Sequence, residues 1–103
     1  MKKFVDVILP LPISNLYTYS LADEMQESVD IGFRVVVPFG KKKYYTAIVA
    51  KVHYDKPQEY EVKEVGEVLD NHPIVLPEQL ELWKWIASYY LCTLGDVYKA
   101  AIP

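Results

Sequence analysis

Asp30-Ile-Gly-Phe-Arg-Val-Val-Val-Pro-Phe-Gly-Lys-Lys-Lys-Tyr-Tyr-Thr-Ala-Ile-Val-Ala-Lys-Val52 contains two β-branched runs, Phe33–Val37 and Tyr44–Val52, separated by a short connection. That pattern predicts a strand, a tight loop and a second strand. Pro38 has no backbone N–H to give a ladder and so marks where the first strand stops pairing. Gly40 can take φ > 0 and leaves main chain uncovered by a Cβ. Lys41, Lys42 and Lys43 stand beside it, with Phe39, Tyr44 and Tyr45 around them. Bare backbone, ammonium groups and rings in one loop suit an anionic ligand with a flat face. Taken alone, the stretch reads first as a hairpin whose lysines only keep its tip hydrated.

On the N-terminal side, Phe4–Leu9 is apolar on both faces except at Asp6, as a strand inside a sheet would be. Pro10-Leu-Pro12 imposes an extended step and Ser14-Asn15 a turn. Leu16–Leu21 resumes a strand, with Tyr17, Tyr19 and Leu21 on one face and Thr18 and Ser20 on the other. Tyrosines at this spacing suit core packing, or one of them the edge of a pocket. Ala22–Asp30 is acidic and polar, a loop or one irregular turn.

On the C-terminal side, residues 53–60 form a turn-rich connection and Glu61–Leu69 a last strand. Lys63 is the one base in that acidic strand, either a solvated counter-charge or a phosphate contact. Pro77 then opens a helix with Glu78 in its first turn. Leu80, Trp83, Ala87 and Tyr90 repeat at helical spacing, with Leu82, Ile86 and Tyr89 widening the stripe over about four turns. Thr93-Leu-Gly-Asp96 restarts a short helix running to Ala101. The expected architecture is α+β: about five strands in a curled, barrel-like sheet capped by a C-terminal helical pair, in a single domain over residues 1–103.

Composition narrows the function. No apolar run approaches the ~20 residues that a membrane span needs. The only cysteine, Cys92, excludes an internal disulfide and fits a reducing cytoplasm. Cys92, His53 and His72 lack zinc-site spacing, so no metal is expected. The net charge of −3 argues against holding nucleic acid by bulk electrostatics, yet residues 1–52 carry +2 and residues 53–103 carry −5. Any polyanion contact therefore belongs to the first half, as a small local site. No nucleophile elbow, phosphate loop, dinucleotide fingerprint or His-containing metal motif occurs. Both histidines fall in predicted connections, and no two carboxylates share an apolar setting that would separate their pKa values. The chain reads as a binding module and not as an enzyme.

Ile8-Leu-Pro-Leu-Pro12, Tyr17-Thr-Tyr19, Gly32-Phe-Arg-Val-Val-Val-Pro-Phe-Gly-Lys41 and Val65-Gly-Glu-Val-Leu-Asp70 occur in that order. Trp85-Ile-Ala-Ser-Tyr-Tyr90 and Leu94-Gly-Asp-Val97 follow. The series resembles the N-terminal 3′-end DNA-binding domain of the primosomal replication-restart helicases (PriA, primosomal protein N′), over essentially the whole chain. The resemblance implies a non-catalytic module that recognises a free 3′-OH end of DNA, such as the leading strand at a stalled fork. It implies a longer helicase chain of which this is the N-terminal piece. ATP and zinc would belong to the remainder, and none to this domain. Other helicase domains and replisome or primosome proteins would be its partners, in the cytoplasm.

The family's pocket falls by position on Tyr17, Thr18, Tyr19, Gly40 and Lys63, with Lys41, Lys42 and Lys43 attracting phosphates from further off. Where the family usually carries an aspartate this chain has Thr18, whose hydroxyl and backbone remain for hydrogen bonding. Ala47 stands where the family often shows glycine. A different class of function stays open beside this one: a protein-interaction barrel that docks other domains or a replisome partner through its sheet and the Trp83/Trp85 helix.

Overall fold

Strand β1 (Phe4–Ile8) runs through the middle of a six-stranded sheet, between β2 (Tyr17–Ser20) and β4 (Tyr44–His53), in a computed structural model that describes residues 2–102. β3 (Arg34–Pro38) pairs antiparallel with β4, from Arg34 opposite Ile48 to Pro38 opposite Tyr44. This is the hairpin expected from its β-branched runs, and Pro38 is its last paired residue. The tip closes through the Phe39 N–H donating to the Lys43 carbonyl at 3.0 Å, with Gly40 at φ +75° and Lys42 at φ +56°.

The expected strand Glu61–Leu69 divides in two, giving six strands where about five were expected. β5 (Lys63–Glu64) pairs parallel with β2, whereas β6 (Glu67–Val68) pairs antiparallel with β3. These are opposite edges of the sheet, whose order is β5-β2-β1-β4-β3-β6. At the crossing, the Val65 N–H donates to the Ser20 carbonyl and the very next N–H, that of Gly66, to the Val36 carbonyl. One stretch of chain thus serves both edges and curls the sheet toward closure. The divided strand reads as continuous because its composition does not record the change of partner.

Alternation along the strands fills two cores. Val5, Val7, Tyr19, Leu21, Val35, Val37, Ala47 and Val49 pack inside the curl. Ile8 and Ile48 point outward and, with Val75, Leu80, Trp83, Val97 and Tyr98, form a second cluster beneath the helices. The β1–β4 register slips between Asp6, opposite Lys51, and Val7, opposite Val49. This bulge changes the parity of β4, so that Val52 as well as Val49 packs against the inner cluster.

Helix α1 (Pro77–Tyr90) begins with Pro77 at its first position, as expected. Leu76 has no side-chain acceptor, so only Gln79 caps this end, its amide oxygen accepting the Leu76 N–H at 2.8 Å. Thr93 caps α2 (Leu94–Ala101) with a full capping box: its hydroxyl accepts the Asp96 N–H and Asp96 accepts the Thr93 N–H, both at 3.1 Å. The apolar stripe of α1 is narrower in the fold than in the sequence. Leu80 and Trp83 are buried, Trp83 stacking on Tyr98 of α2 at 6.0 Å, whereas Leu82, Trp85, Tyr89 and Tyr90 are exposed. The helix leans on its partner helix and on one line of the sheet, which leaves the flank of the stripe uncovered. No helix among the described residues is long and apolar enough to cross a membrane.

Candidate functional site

Thr18, in mid β2, has its side chain on the outer face of the sheet and its amide at the strand's edge. β5 begins opposite Tyr19, at Lys63, so the edge of β2 loses its backbone partner one residue before that pairing. A hollow of about 190 Å³ opens there, lined by Tyr17, Thr18, Tyr19, Pro38, Phe39, Gly40, Tyr60, Glu61 and Lys63. All five sequence-predicted pocket residues therefore meet in one cavity, supplied by β2, the β3–β4 tip and the approach to β5. Lys41, Lys42 and Lys43 do not line it; they stand exposed on the tip that also carries Gly40.

The roles within the hollow differ from residue to residue. Tyr19 is buried at its base, where its hydroxyl donates to the Pro38 carbonyl at 2.7 Å and ties β2 to the end of β3. Burial, then the neighbouring Tyr60 and Tyr17, push its phenol up to about 12. It is a floor and a strut rather than a wall. Tyr17 is half-buried, in edge contact with Phe39 at 5.0 Å and tilted against Tyr60 at 5.9 Å. These three rings make the apolar side of the cavity. Gly40 presents main chain with no atom within 4 Å of where a Cβ would stand. Lys63 and Glu61 are exposed, and both line the hollow, so a cationic and an anionic residue stand at it together.

Thr18 departs most from expectation. Its hydroxyl donates to the Asp6 carboxylate at 2.6 Å, and Asp6 also meets His53 Nε2 at 2.7 Å. Cross-strand pairing of Asp6 with Thr18 sets this cluster on the outer face, turned from the ring side where Tyr17 and Tyr19 pack. His53 is thus the last residue of β4 and a structural partner of Asp6, not a residue of the following connection. The Thr18 N–H is not free either: it donates to the phenol oxygen of Tyr60 at 2.7 Å. Tyr60 and Phe39 are the lining residues the sequence gave least reason to choose. Phe39 showed only as a ring beside the loop. Tyr60 lies in a polar connection without periodicity, where an aromatic residue is the sole signal. No group of three or more His, Cys, Asp or Glu that could hold a metal ion lies among the described residues.

The sequence profile of a family described as 3′DNA-binding domain (3′BD), the PriA 3′ domain, matches residues 6–103. The chain is 38% identical over 103 residues to the replication restart protein PriA of Haemophilus influenzae, covering 98% of this chain and 14% of that one. It is 32% identical over 98 residues to the Rickettsia conorii protein of the same name, covering 90% of this chain and 14% of that one. For the Bacillus subtilis protein the figures are 27% over 103 residues, 97% and 13%. The chain thus spans about one seventh of the length of these relatives.

Proposed function

This chain belongs to the 3′ DNA-binding domain family, and on that footing we propose that it binds the 3′-OH end of a DNA strand, as at a stalled fork, without catalysing a reaction. The observation that carries this reading is the meeting of Tyr17, Thr18, Tyr19, Gly40 and Lys63 in one small hollow. Tyr17 and Phe39 offer ring faces to the terminal nucleotide; stacking a base is worth roughly 1–3 kcal/mol and tolerates any base. Gly40 lets the strand approach bare backbone, and Lys63 pairs with the last internucleotide phosphate. Lys41–Lys43 attract the strand from outside. None of these roles calls for a cofactor.

End selectivity follows from the size and charge of the cavity. A terminal hydroxyl is neutral and needs only hydrogen bonds. A 3′-phosphate would bring further charge beside Glu61 after Lys63 is already engaged, and unpaired burial of charge costs several kcal/mol. Titration with two short single strands, one ending in 3′-OH and one in 3′-phosphate, tests this. The hydroxyl end is expected to bind at least tenfold more tightly, and Lys63→Ala to weaken it several-fold; equal affinities for the two ends remove end recognition. Within a restart protein such as the relatives named, the module would direct the longer chain to forks.

A second surface favours a second reading. Leu82, Trp85, Tyr89, Tyr90 and Leu91 are all exposed along α1 and its C-cap, Trp85 to 59% and Leu91 to 92%. Trp85 and Tyr89 stack at 5.1 Å and Tyr89 meets Tyr90 at 5.0 Å. A contiguous aromatic face of this kind suits protein docking, here against the rest of a chain as long as the relatives. Trp83 takes no part in it, being 6% exposed in the core.

A further inference from the structure

The hydroxyl of Thr18 is committed to Asp6, on the face turned away from the rings. That leaves the hollow without the side-chain oxygen expected from position 18. A different hydroxyl stands there. Tyr60 lines the cavity, its oxygen 2.7 Å from the Thr18 nitrogen, its ring against Tyr17. A phenol oxygen that accepts an N–H still carries its own proton and can donate it. The backbone bond and the ring contact fix the Tyr60 oxygen at the edge of β2, where β5 has not yet begun.

We infer that Tyr60 is the residue that reads the strand end: its O–H, held by the Thr18 amide, hydrogen-bonds the terminal 3′-oxygen. The chain Thr18 N–H to Tyr60 O–H to ligand oxygen polarises along its length, so the accepted bond strengthens the donated one. Tyr60 stays in place when the strand enters, and the Thr18 amide acts through it rather than on the ligand directly. This inference rests on the end-binding reading above and assigns its specificity to a side chain 42 residues from Thr18.

The test compares the protein and its Tyr60→Phe variant, each titrated with one oligonucleotide ending in 3′-OH and the same one ending in a 2′,3′-dideoxynucleotide. Phenylalanine keeps the ring and removes only the oxygen, at a residue 39% exposed on a loop; a cooperative melt, lowered by no more than the lost Thr18 bond accounts for, checks that the fold is kept. The variant is expected to bind the 3′-OH strand about five- to tenfold more weakly, the loss of one hydrogen bond, and the dideoxy strand unchanged. A variant that weakens on both strands alike, or still prefers the 3′-OH strand as the parent does, overturns the Tyr60 assignment alone. A variant that binds the 3′-OH strand more tightly also overturns it, since the phenol would then only have been standing in for the ligand. A parent protein that binds both strands equally also overturns the Tyr60 assignment, whereas end recognition itself falls only if a 3′-phosphate strand binds as tightly as these two.

Discussion

At the scale of single residues, Thr18 shows how a side chain's partner decides what a substitution does. An acidic residue at position 18 would lie against Asp6, whose oxygen is 2.6 Å from the present hydroxyl. Thr18→Asp is therefore expected to destabilise the domain by about 1–2 kcal/mol at neutral pH through like-charge contact and a lost hydrogen bond. Urea melts of the parent and variant at pH 7 check it; an unchanged midpoint would mean the new carboxylate turns elsewhere. Gly40 teaches the complementary point. Its φ of +75° makes glycine the fitting residue for the turn, while the space around it is open, so the fold asks for its backbone conformation and not for a missing Cβ.

At the scale of elements, the helical pair is seated by glycines pressed against backbone. A Cβ on Gly95, in the first turn of α2, would stand 1.9 Å from the Leu11 carbonyl oxygen and 2.5 Å from that of Leu9. The α2 N-terminus therefore rests directly on the Pro10–Pro12 step, which the sequence marks only as extended. Gly32, at φ +90°, accepts the N–H groups of Ile74 and Val75 and so fixes the chain that leads into α1. Gly95→Ala must push helix and strand exit apart, and is expected to cost roughly 3 kcal/mol or more. A shift of the chemical-denaturation midpoint with unchanged slope would confirm that size of loss; a change under about 1 kcal/mol would mean the helix slides at little cost. On the other edge, Asp70 accepts the Arg34 backbone N–H at 2.8 Å and pairs with its guanidinium at 2.9 and 3.1 Å. The Arg34 side-chain bonds hold the Asp70 carboxyl below its usual range, against a smaller opposing effect of burial.

At the scale of the whole molecule, pH reports on the closed curl. Tyr19 ionises at about 12 in the fold against 10.0 when exposed. The folded state thus keeps its proton where the unfolded chain gives it up. Stability should be level below about pH 10, fall as pH rises toward 12, and flatten above. Denaturation midpoints across that window, compared with Tyr19→Phe, check the sign; Tyr98, also raised by burial, adds to the same fall. A variant whose alkaline decline matches the parent's would assign the loss to other groups.

Most of the fold was written in short-range patterns. The β-branched runs around Pro38 and Gly40, the proline before Glu78 and the Thr93–Asp96 box each act over two to four residues, and each produced the expected element. Tyr17, Gly40 and Lys63 were marked by residue type and by likeness to a family, and one cavity gathers them. What no stretch of sequence could fix was which edge each half of residues 61–69 would join, which way the Thr18 hydroxyl would turn, and where Tyr60 would stand. Those depend on partners far along the chain, Asp6 and His53 being 47 residues apart and Thr18 and Tyr60 42. Their meeting is a product of the closing sheet: local chemistry sets what each residue can offer, and the curl decides what it faces.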